Sequence, residues 1–268
     1  MEKIAIYNRK GGVGKSTTCL NIAGCLDTKY KKRVLVVDCD PQANITTCLT
    51  LNNNDVEIYH DIAELFSEQK EETEKYIYPV VLPDRSNRNL VETHICLLKG
   101  SKELDRVNTT NMYVLRDFLN MYDDKFDYCL IDCPPSLTDV TINVLCAADY
   151  LMIPCLSGRD GVNGYGMVVE EVNNMKDNGY NPNIRILGVF VNAIDKRYAL
   201  DNYYATLWSD DFKANSFQAQ VRRSSDVPNA YEFGKPVQYY KNSKVCKDYE
   251  DLTKEMISKI KYFKKGVR

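Results

Sequence analysis

The chain has 268 residues, of which 44% are hydrophobic and 27% charged, and its formal net charge is −2. This length suits one α/β domain, and the charge excludes a protein that is basic over its whole surface. No apolar stretch approaches the roughly 20 residues of a membrane span, and no signal-peptide pattern is present, so we expect a cytoplasmic protein without a membrane partner. Ten cysteines form no C-x-x-C pair, which favours buried thiols over metal or disulfide sites.

Apolar runs and helical runs alternate along the chain. Strands are predicted at 3–7, 33–38, 127–131, 150–153 and 185–191, where the residues are almost continuously apolar, as in strands buried on both faces. Helices are predicted at 16–27, 42–50, 110–122, 138–147, 161–177, 198–208 and 246–263. In the irregular segment 52–108 we expect only a short helix near 60–66 and a strand near 94–98. The alternation predicts an α/β fold, a doubly wound, mostly parallel sheet with helices on both faces, in a single domain over 1–268.

A glycine-rich loop connects the first predicted strand to the first predicted helix. The residues from Lys10 to Thr17 read K-G-G-V-G-K-S-T. Strand, glycine loop, Lys-Ser and helix is the context of a phosphate-binding loop, where backbone N–H groups and the helix N-terminus bind phosphates. We expect Lys15 to contact the β- and γ-phosphates and the Ser16 hydroxyl to bind Mg²⁺. The candidate nucleotide-binding residues are Lys10, Gly11, Gly12, Val13, Gly14, Lys15, Ser16, Thr17 and Asn192.

The loop departs from the usual G-x-x-x-x-G-K-[ST] pattern. Arg9 stands at the position of the first glycine, and a second lysine, Lys10, opens the loop. A lysine at the loop entrance cannot easily reach its own phosphates. It can reach those of a facing subunit.

Two further segments complete a family resemblance. The run from Val34 to Asn44 contains D-C-D-P-Q-A-N, and the run from Phe126 to Ser136 reads F-D-Y-C-L-I-D-C-P-P-S. Together with the loop, these segments resemble the motifs of the ParA/MinD family of deviant Walker A P-loop ATPases, and their forms are similar to the ParA/Soj partition branch. The resemblance continues through 188–192 and 230–237, so it covers nearly the whole chain and implies a P-loop NTPase fold.

Three aspartates follow the predicted strands at their carboxyl ends, where doubly wound sheets bind ligands. We expect Ser16 to bind Mg²⁺ directly and Asp38 and Asp132 to hold its waters. The resemblance gives Asp40 the task of orienting or deprotonating the attacking water. An aspartate at a strand end can also cap a helix or form a turn, and Asp40-Pro41 is typical of a helix start. The candidate catalytic residues are therefore Lys10, Lys15 and Asp40, with ATP and Mg²⁺ as cofactors.

The resemblance also implies a reaction cycle. ATP would join two subunits into a sandwich homodimer, with Lys10 reaching the facing phosphates, and the dimer would bind double-stranded DNA nonspecifically. Slow hydrolysis, stimulated by a ParB-like centromere-binding protein, would release the DNA, which implies a nucleoid-associated protein. Asn192, which follows the strand at 185–191, could contact the adenine or cap the loop.

Basic residues are concentrated late in the chain. Residues 213–268 carry 13 Lys and Arg against 6 Asp and Glu. Candidate DNA contacts are Lys196, Arg197, Arg222 and Arg223. The segment Q-V-R-R-S lacks the proline that usually precedes the arginine in this family, and solvated surface charge is the competing interpretation. Such residues would contact phosphates and read no bases.

Two other functions remain open at this point. A MinD-like membrane-cycling ATPase needs a C-terminal amphipathic helix, but Leu252, Met256, Ile260 and Phe263 are spaced as in a helix that docks on a core. A nucleotide-switched DNA scaffold or repressor without enzymatic activity is the other alternative. The presence of both Lys10 and Asp40 favours hydrolysis.

Overall fold

A seven-stranded sheet organises the computed structural model, which describes residues 1–52, 60–67, 73–211 and 215–266. The strands are β1 (Glu2–Ile6), β2 (Val34–Asp38), β3 (Ile77–Pro83), β4 (Leu90–Leu98), β5 (Tyr128–Asp132), β6 (Tyr150–Cys155) and β7 (Arg185–Val191). Their order is β3-β4-β2-β5-β1-β6-β7, and among them β3 runs antiparallel while the other pairs are parallel. The predicted α/β fold with a mostly parallel sheet is confirmed.

Helices cover both faces of this sheet. They are α1 (Lys15–Tyr30), α2 (Asn44–Thr50), α3 (Ile62–Leu65), α4 (Val114–Asn120), α5 (Asp139–Ala147), α6 (Arg159–Asp177), α7 (Ala199–Asp211), α8 (Asp226–Glu232), α9 (Val237–Tyr240) and α10 (Lys244–Lys265), with 3₁₀ turns at Thr73–Tyr76 and Lys102–Arg106. Ala5 and Leu35 pack in one core with α3 to α7, whereas Ile4 and Val36 pack in a second core with α1, α2 and α8 to α10. Neighbouring residues of one strand thus enter opposite cores, as the alternation of side chains requires.

The segment 52–108 differs most from the sequence-based prediction. The short helix is present as α3, but the strand near 94–98 is only the second half of β4, and β3 was missed. Pro79 and Pro83 concealed β3, because proline removes a ladder hydrogen bond. Here β3 is the last strand in the sheet order, and its register shifts between Pro79 and Val81, so the prolines are tolerated at an edge and a bulge.

The C-terminal helix docks on the core. Leu252, Met256 and Ile260 of α10 are buried, and Phe263 packs partly buried against the same core. The core-docking interpretation is therefore confirmed, and this apolar face is not available to a lipid surface in this structure. Among the described residues, no helix is both long and apolar enough to cross a membrane.

The cysteines behave as small apolar residues. All ten are free thiols, and nine of them are buried, while Cys96 is partly exposed. Burial raises the pKa of the Cys25 and Cys48 thiols to about 12, which keeps both protonated.

Candidate active site

The carboxyl ends of three neighbouring strands, β2, β5 and β1, lie side by side at one edge of the sheet. Asp38 and Asp132 are register partners at the ends of β2 and β5, and Ile6 of β1 lies beside Asp132. Because parallel strands end at the same edge, the loop that follows β1 opens next to both carboxylates. Both carboxylates are fully buried.

The loop between β1 and α1 has the backbone of a phosphate cradle. Gly12 and Gly14 have φ angles of 72° and 90°, in the left-handed region that glycine adopts without steric cost. Asn8 anchors the entrance of the loop, since its Nδ2 donates to the Pro154 carbonyl (2.9 Å) and its Oδ1 accepts from the Lys10 amide (2.9 Å). The loop leads directly into the N-terminus of α1, where backbone N–H groups favour anions.

Lys15 points its ammonium back into this loop. Its side chain is buried, and Nζ donates to the carbonyls of Asn8 (3.1 Å) and Lys10 (3.0 Å). Burial lowers the pKa of Lys15, and the nearby charge of Asp132 opposes that shift. Incoming phosphate oxygens would compete with these two carbonyls for the ammonium and offer it a full charge.

The two buried carboxylates differ in their hydrogen bonds. Asp38 accepts from the amide (2.8 Å) and hydroxyl (2.7 Å) of Thr46, and burial nevertheless raises its pKa to about 6. Burial, and then the charge of Asp38, raise the pKa of Asp132 well above its usual value. Neither oxygen of Asp132 finds a hydrogen-bond partner among the described residues. The nearby Ser16 hydroxyl offsets part of the pKa rise without meeting hydrogen-bond geometry.

This donor set fits Mg²⁺. A dication would remove the repulsion between Asp38 and Asp132 and give the Asp132 oxygens a partner, with the Ser16 hydroxyl close by. Within the described ranges, no three His, Cys, Asp or Glu side chains converge on one metal position. Mg²⁺ usually takes one or two carboxylates and completes its shell with water and phosphate oxygens, so the pair of Asp38 and Asp132 suits it.

Asp40 is held by a turn rather than by a helix start. Its amide donates to Asp38 Oδ1 (3.3 Å), and its own Oδ1 accepts from the Gln42 amide (2.9 Å). The helix predicted from residue 42 begins at Asn44, and Ala43, with φ 49°, occupies the N-cap position. Asp40 is therefore not the cap of α2, and its buried side chain lines a cavity beside the loop.

A cavity of about 680 Å³ adjoins the loop, within the usual size range for small-molecule sites. Its lining includes the loop and Asp40, together with Pro134, Pro135 and Ser136, which follow β5. The sequence did not predict the part of the lining that comes from α8 and the turn after it, which includes Val227, Pro228, Tyr231 and Lys235. Of these residues, only Tyr231 and Lys235 lie in the run 230–237, which the resemblance covered without assigning it a role.

Asn192 contacts the phosphate loop through its side-chain amide. Its Nδ2 donates to the Val13 carbonyl (2.8 Å) and its Oδ1 accepts from the Ala193 amide (2.9 Å). A Cβ atom on Gly14 would lie only 2.0 Å from Asn192 Nδ2, so the two residues pack in direct contact. The structure thus brings Asn192 to the loop, with both ends of its amide engaged within the chain.

The loop entrance is tied to α6. Arg9, which replaces the first glycine of the usual pattern, pairs with Glu171 of α6 (3.2 Å), and the Tyr7 hydroxyl donates to the same carboxylate (2.9 Å). Lys10, next to Arg9, is half-buried.

The four candidate DNA contacts come together in space. Lys196, Arg197, Arg222 and Arg223 line a second cavity of about 790 Å³ together with Lys244, and we call these five residues the basic cluster. Two carboxylates share the cavity with them. Asp248 binds Arg222 through two nitrogens (2.5 and 2.6 Å), and Asp195 binds Arg197 in the same way (2.8 and 2.5 Å).

Comparisons with known proteins find relatives along most of this chain. A family model described as an AAA domain matches residues 1–186. The chain is 32% identical over 260 residues to the sporulation initiation inhibitor protein Soj of Bacillus subtilis, covering 94% of this chain and 97% of that protein. It is 30% identical over 267 residues to the chromosome partitioning protein ParA of Myxococcus xanthus, covering 96% of this chain and 88% of that protein.

Solved structures share the fold. The ATP complex of an McdA variant from Cyanothece superposes with a TM-score of 0.80 at 22% identity, covering 96% of both chains. A plasmid partition protein of Borrelia burgdorferi bound to AMPPNP gives a TM-score of 0.78 at 21% identity, covering 96% of this chain and 99% of that one. Likeness at this identity bears on the fold alone. The family model and the sequence relatives, taken with the phosphate loop and the paired carboxylates, show that the chain belongs to the ParA/Soj family of P-loop ATPases.

Proposed function

We propose that this protein is a Mg²⁺-dependent ATPase of DNA partition. ATP joins two copies into a sandwich dimer that binds double-stranded DNA nonspecifically, and slow hydrolysis, stimulated by a ParB-like partner, releases the DNA. The protein would act in the cytoplasm on the nucleoid. The observation that carries the proposal is the buried Asp132 carboxylate, which has no hydrogen-bond partner among the described residues and lies beside Asp38 and the phosphate loop.

The phosphate loop supplies the binding groups. Gly11 to Thr17 would surround the β- and γ-phosphates, and Lys15 would exchange its two carbonyl partners for phosphate oxygens. Ser16, Asp38 and Asp132 would hold Mg²⁺ directly or through water. When bound, Mg²⁺ neutralises charge that develops on the phosphate oxygens during transfer.

Asp40 and Lys10 complete the proposed machinery. The Asp40 carboxylate lines the cavity and is fixed by the Gln42 amide, so it can accept a proton from an attacking water or orient that water. Lys10 opens the loop and would contact the γ-phosphate bound by the facing subunit. Hydrolysis would then weaken the dimer, because the trans contact loses its anion.

The part of the cavity lining that comes from α8 suits a nucleoside. Val227 and Pro228 offer apolar surface and Tyr231 an aromatic ring, whereas the loop side is polar. Lys235 does not direct its charge toward this space, since Nζ donates to the Asp84 carbonyl (2.5 Å) and to Asn87 in the hairpin between β3 and β4.

The basic cluster would supply the DNA contacts. Five cations against two carboxylates leave a positive surface, and a dimer presents two such surfaces to one duplex. Two of the cations are already paired with aspartates, which lowers their contribution relative to free charges.

Steady-state turnover and light scattering test this function. We expect ATP hydrolysis that requires Mg²⁺, a mass that doubles with ATP and not with ADP, and DNA binding that follows the dimer. ATP-dependent DNA binding without any turnover would favour the non-enzymatic scaffold. Binding to anionic vesicles without binding to DNA would favour the membrane-cycling alternative.

A further inference from the structure

A three-residue segment after β7 joins the phosphate loop to the basic cluster. At one end, Asn192 is buried and its Nδ2 holds the Val13 carbonyl of the loop at 2.8 Å. Gly14 packs against the same amide so closely that no side chain fits between them. Any displacement of the loop at Val13 or Gly14 must therefore move Asn192 or break this hydrogen bond.

The other end of the segment, Ile194, is bound to the backbone of the basic cluster. The Ile194 amide donates to the Val221 carbonyl (2.9 Å), and the Arg223 amide donates to the Ile194 carbonyl (2.8 Å). Ile194 and Arg222 form an isolated parallel bridge. Lys196 and Arg197 follow after one further residue, so Ile194 sets the spacing between the two halves of the cluster.

The connection between these ends is short and has little slack. Ala193 is the only residue between Asn192 and Ile194, and its φ of 55° places it in the left-handed region, which alanine rarely adopts. Its amide donates to Asn192 Oδ1 (2.9 Å), and the Asn192 amide donates to the Cys155 carbonyl (2.7 Å). One side chain thus holds the loop with its nitrogen and the bend of the chain with its oxygen.

We propose that Asn192 is a positioning residue that couples occupancy of the phosphate loop to the geometry of the basic cluster. The proposal rests on the proposed function and adds to it a route by which the ATP state is sensed within one subunit. Phosphates would draw the Lys15 ammonium away from the Asn8 and Lys10 carbonyls, and the loop would rearrange around Val13. Asn192 would pass this change to Ile194 and from there to Arg222 and Arg223.

Hydrogen exchange tests the route without DNA and without a dimer. The Lys10→Ala protein is mixed with ATP and Mg²⁺, its ATP binding is measured by calorimetry, and its monomeric state is checked by light scattering. We expect ATP to change the protection of the Ile194 and Arg223 amides. Adding Asn192→Asp, which keeps the acceptor for Ala193 and loses the donor to Val13, should abolish that change.

Asn181→Asp is the matched control. Asn181 also bridges backbone carbonyls through its Nδ2, those of Leu145 and Ala148 at 2.8 Å, but contacts neither site. It should leave the exchange response intact. If ATP binds and the Ile194 and Arg223 amides do not respond, or if they still respond with Asn192→Asp, the coupling is wrong while the ATPase proposal stands. If ATP does not bind to the Lys10→Ala protein, both proposals fail.

A second experiment measures the functional consequence. In an Asp40→Ala background, which is expected to keep the ATP dimer, Asn192→Asp should weaken DNA binding about tenfold at equal dimer content, a size typical of coupling between sites. The Asn181→Asp protein in that background should bind DNA as the Asp40→Ala protein does. Equal DNA affinity of the Asn192→Asp and Asn181→Asp proteins, at equal dimer content, would overturn the inference.

Discussion

The phosphate site and the basic cluster both concentrate charge, but they keep it in different surroundings. Lys15, Asp38 and Asp132 are almost fully buried, and burial is the main cause of the pKa shift of each. In the basic cluster, the side chain of Arg197 is 84% exposed and that of Arg222 is 44% exposed. A buried charge interacts strongly with a few neighbours, whereas an exposed one acts through a screened field. Mutations should therefore act sharply at the first region and gradually, with strong salt dependence, at the second.

The largest effect should come from the buried ammonium. Lys15→Ala removes the main side-chain counterion of the phosphates, and a loss of about 3 kcal/mol in charge-assisted hydrogen bonds corresponds to roughly a 100-fold weaker ATP complex. Isothermal titration measures it. Lys29→Ala is the control, because Lys29 lies on the same helix with its exposed ammonium paired to Glu250. Near-normal affinity of Lys15→Ala would show that the phosphates bind elsewhere.

The next effect concerns turnover without binding. Asp40→Ala should retain ATP and a persistent dimer but reduce hydrolysis about 100-fold or more, the usual cost of losing a general base. Phosphate release and light scattering report the two properties. Asp40→Asn sharpens the test, since an amide oxygen can still accept from Gln42 but cannot take a proton. If either variant hydrolyses ATP at the wild-type rate, Asp40 has no part in the chemistry.

Lys10 should affect association rather than binding. Lys10→Ala is expected to bind ADP, because Lys15 and the loop amides remain, but to form few ATP dimers, because each γ-phosphate loses its trans ammonium. In a water-poor interface such a contact is several-fold stronger than a surface pair. Light scattering of Lys10→Ala mixed with Asp40→Ala should show fewer dimers than Asp40→Ala alone. Arg9→Gln is the control for a neighbouring charge. If Lys10→Ala forms as many ATP dimers as the wild type, Lys10 does not contact the facing subunit, and the loop binds only the phosphates of its own subunit.

Asp132→Asn should trade metal binding for stability. When folding raises the pKa of a carboxyl group, the folded protein keeps its full stability only at pH values below the pKa of that group in the unfolded chain. Above that pKa, each pH unit lowers the free energy of unfolding by up to about 1.4 kcal/mol, until the pH passes the pKa of the folded state. For Asp38 this loss of stability extends from pH 3.8 to about pH 6. The amide cannot ionise and removes the corresponding cost at Asp132, so the variant should be more stable than wild type at pH 7.5.

Thermal denaturation without nucleotide, at pH 5 and pH 7.5, checks the sign. The advantage of Asp132→Asn should shrink toward acid, where the wild-type carboxyl is less penalised. The same variant should lose the response of turnover to Mg²⁺. A variant that is less stable than wild type at pH 7.5 would mean that Asp132 has a partner that offsets its burial.

The two regions also differ in how far the sequence predicts them. Residues 10–17 are contiguous, and Asp38 and Asp132 end apolar runs, so local patterns locate the phosphate edge. The cavity lining near Pro228 depends on how α8 packs beside the phosphate loop. A helix of seven residues is too short for hydrophobic periodicity to predict it. Strand β3 was hidden for a similar reason, because the edge position that tolerates Pro79 and Pro83 is a property of the sheet.

The basic cluster lies between these cases. Lys196-Arg197 and Arg222-Arg223 stand out in the sequence as two basic pairs, but only the bridge at Ile194 shows that they share one surface. The partners of Arg197 and Arg222, Asp195 and Asp248, were not predicted. Whether these aspartates pair with the arginines depends on side-chain geometry, which a count of charges along the sequence does not contain.

The smallest effect should come from single members of the basic cluster. Arg223→Ala should reduce the slope of log K against log salt for DNA binding by about 0.9, the value for one lost phosphate contact, and should do so equally on unrelated duplexes. Arg222→Ala should weaken binding more than Arg223→Ala at low salt, because it also leaves Asp248 facing the DNA phosphates without its cation. Arg116→Ala, an exposed arginine of α4 paired with Asp117, is the control and should leave the slope unchanged. Titrations of a labelled duplex at several salt concentrations measure all three. If the salt slope is unchanged in both Arg223→Ala and Arg222→Ala, the DNA-binding surface lies elsewhere. If either variant loses affinity for only one DNA sequence, the arginine contacts bases and not phosphates.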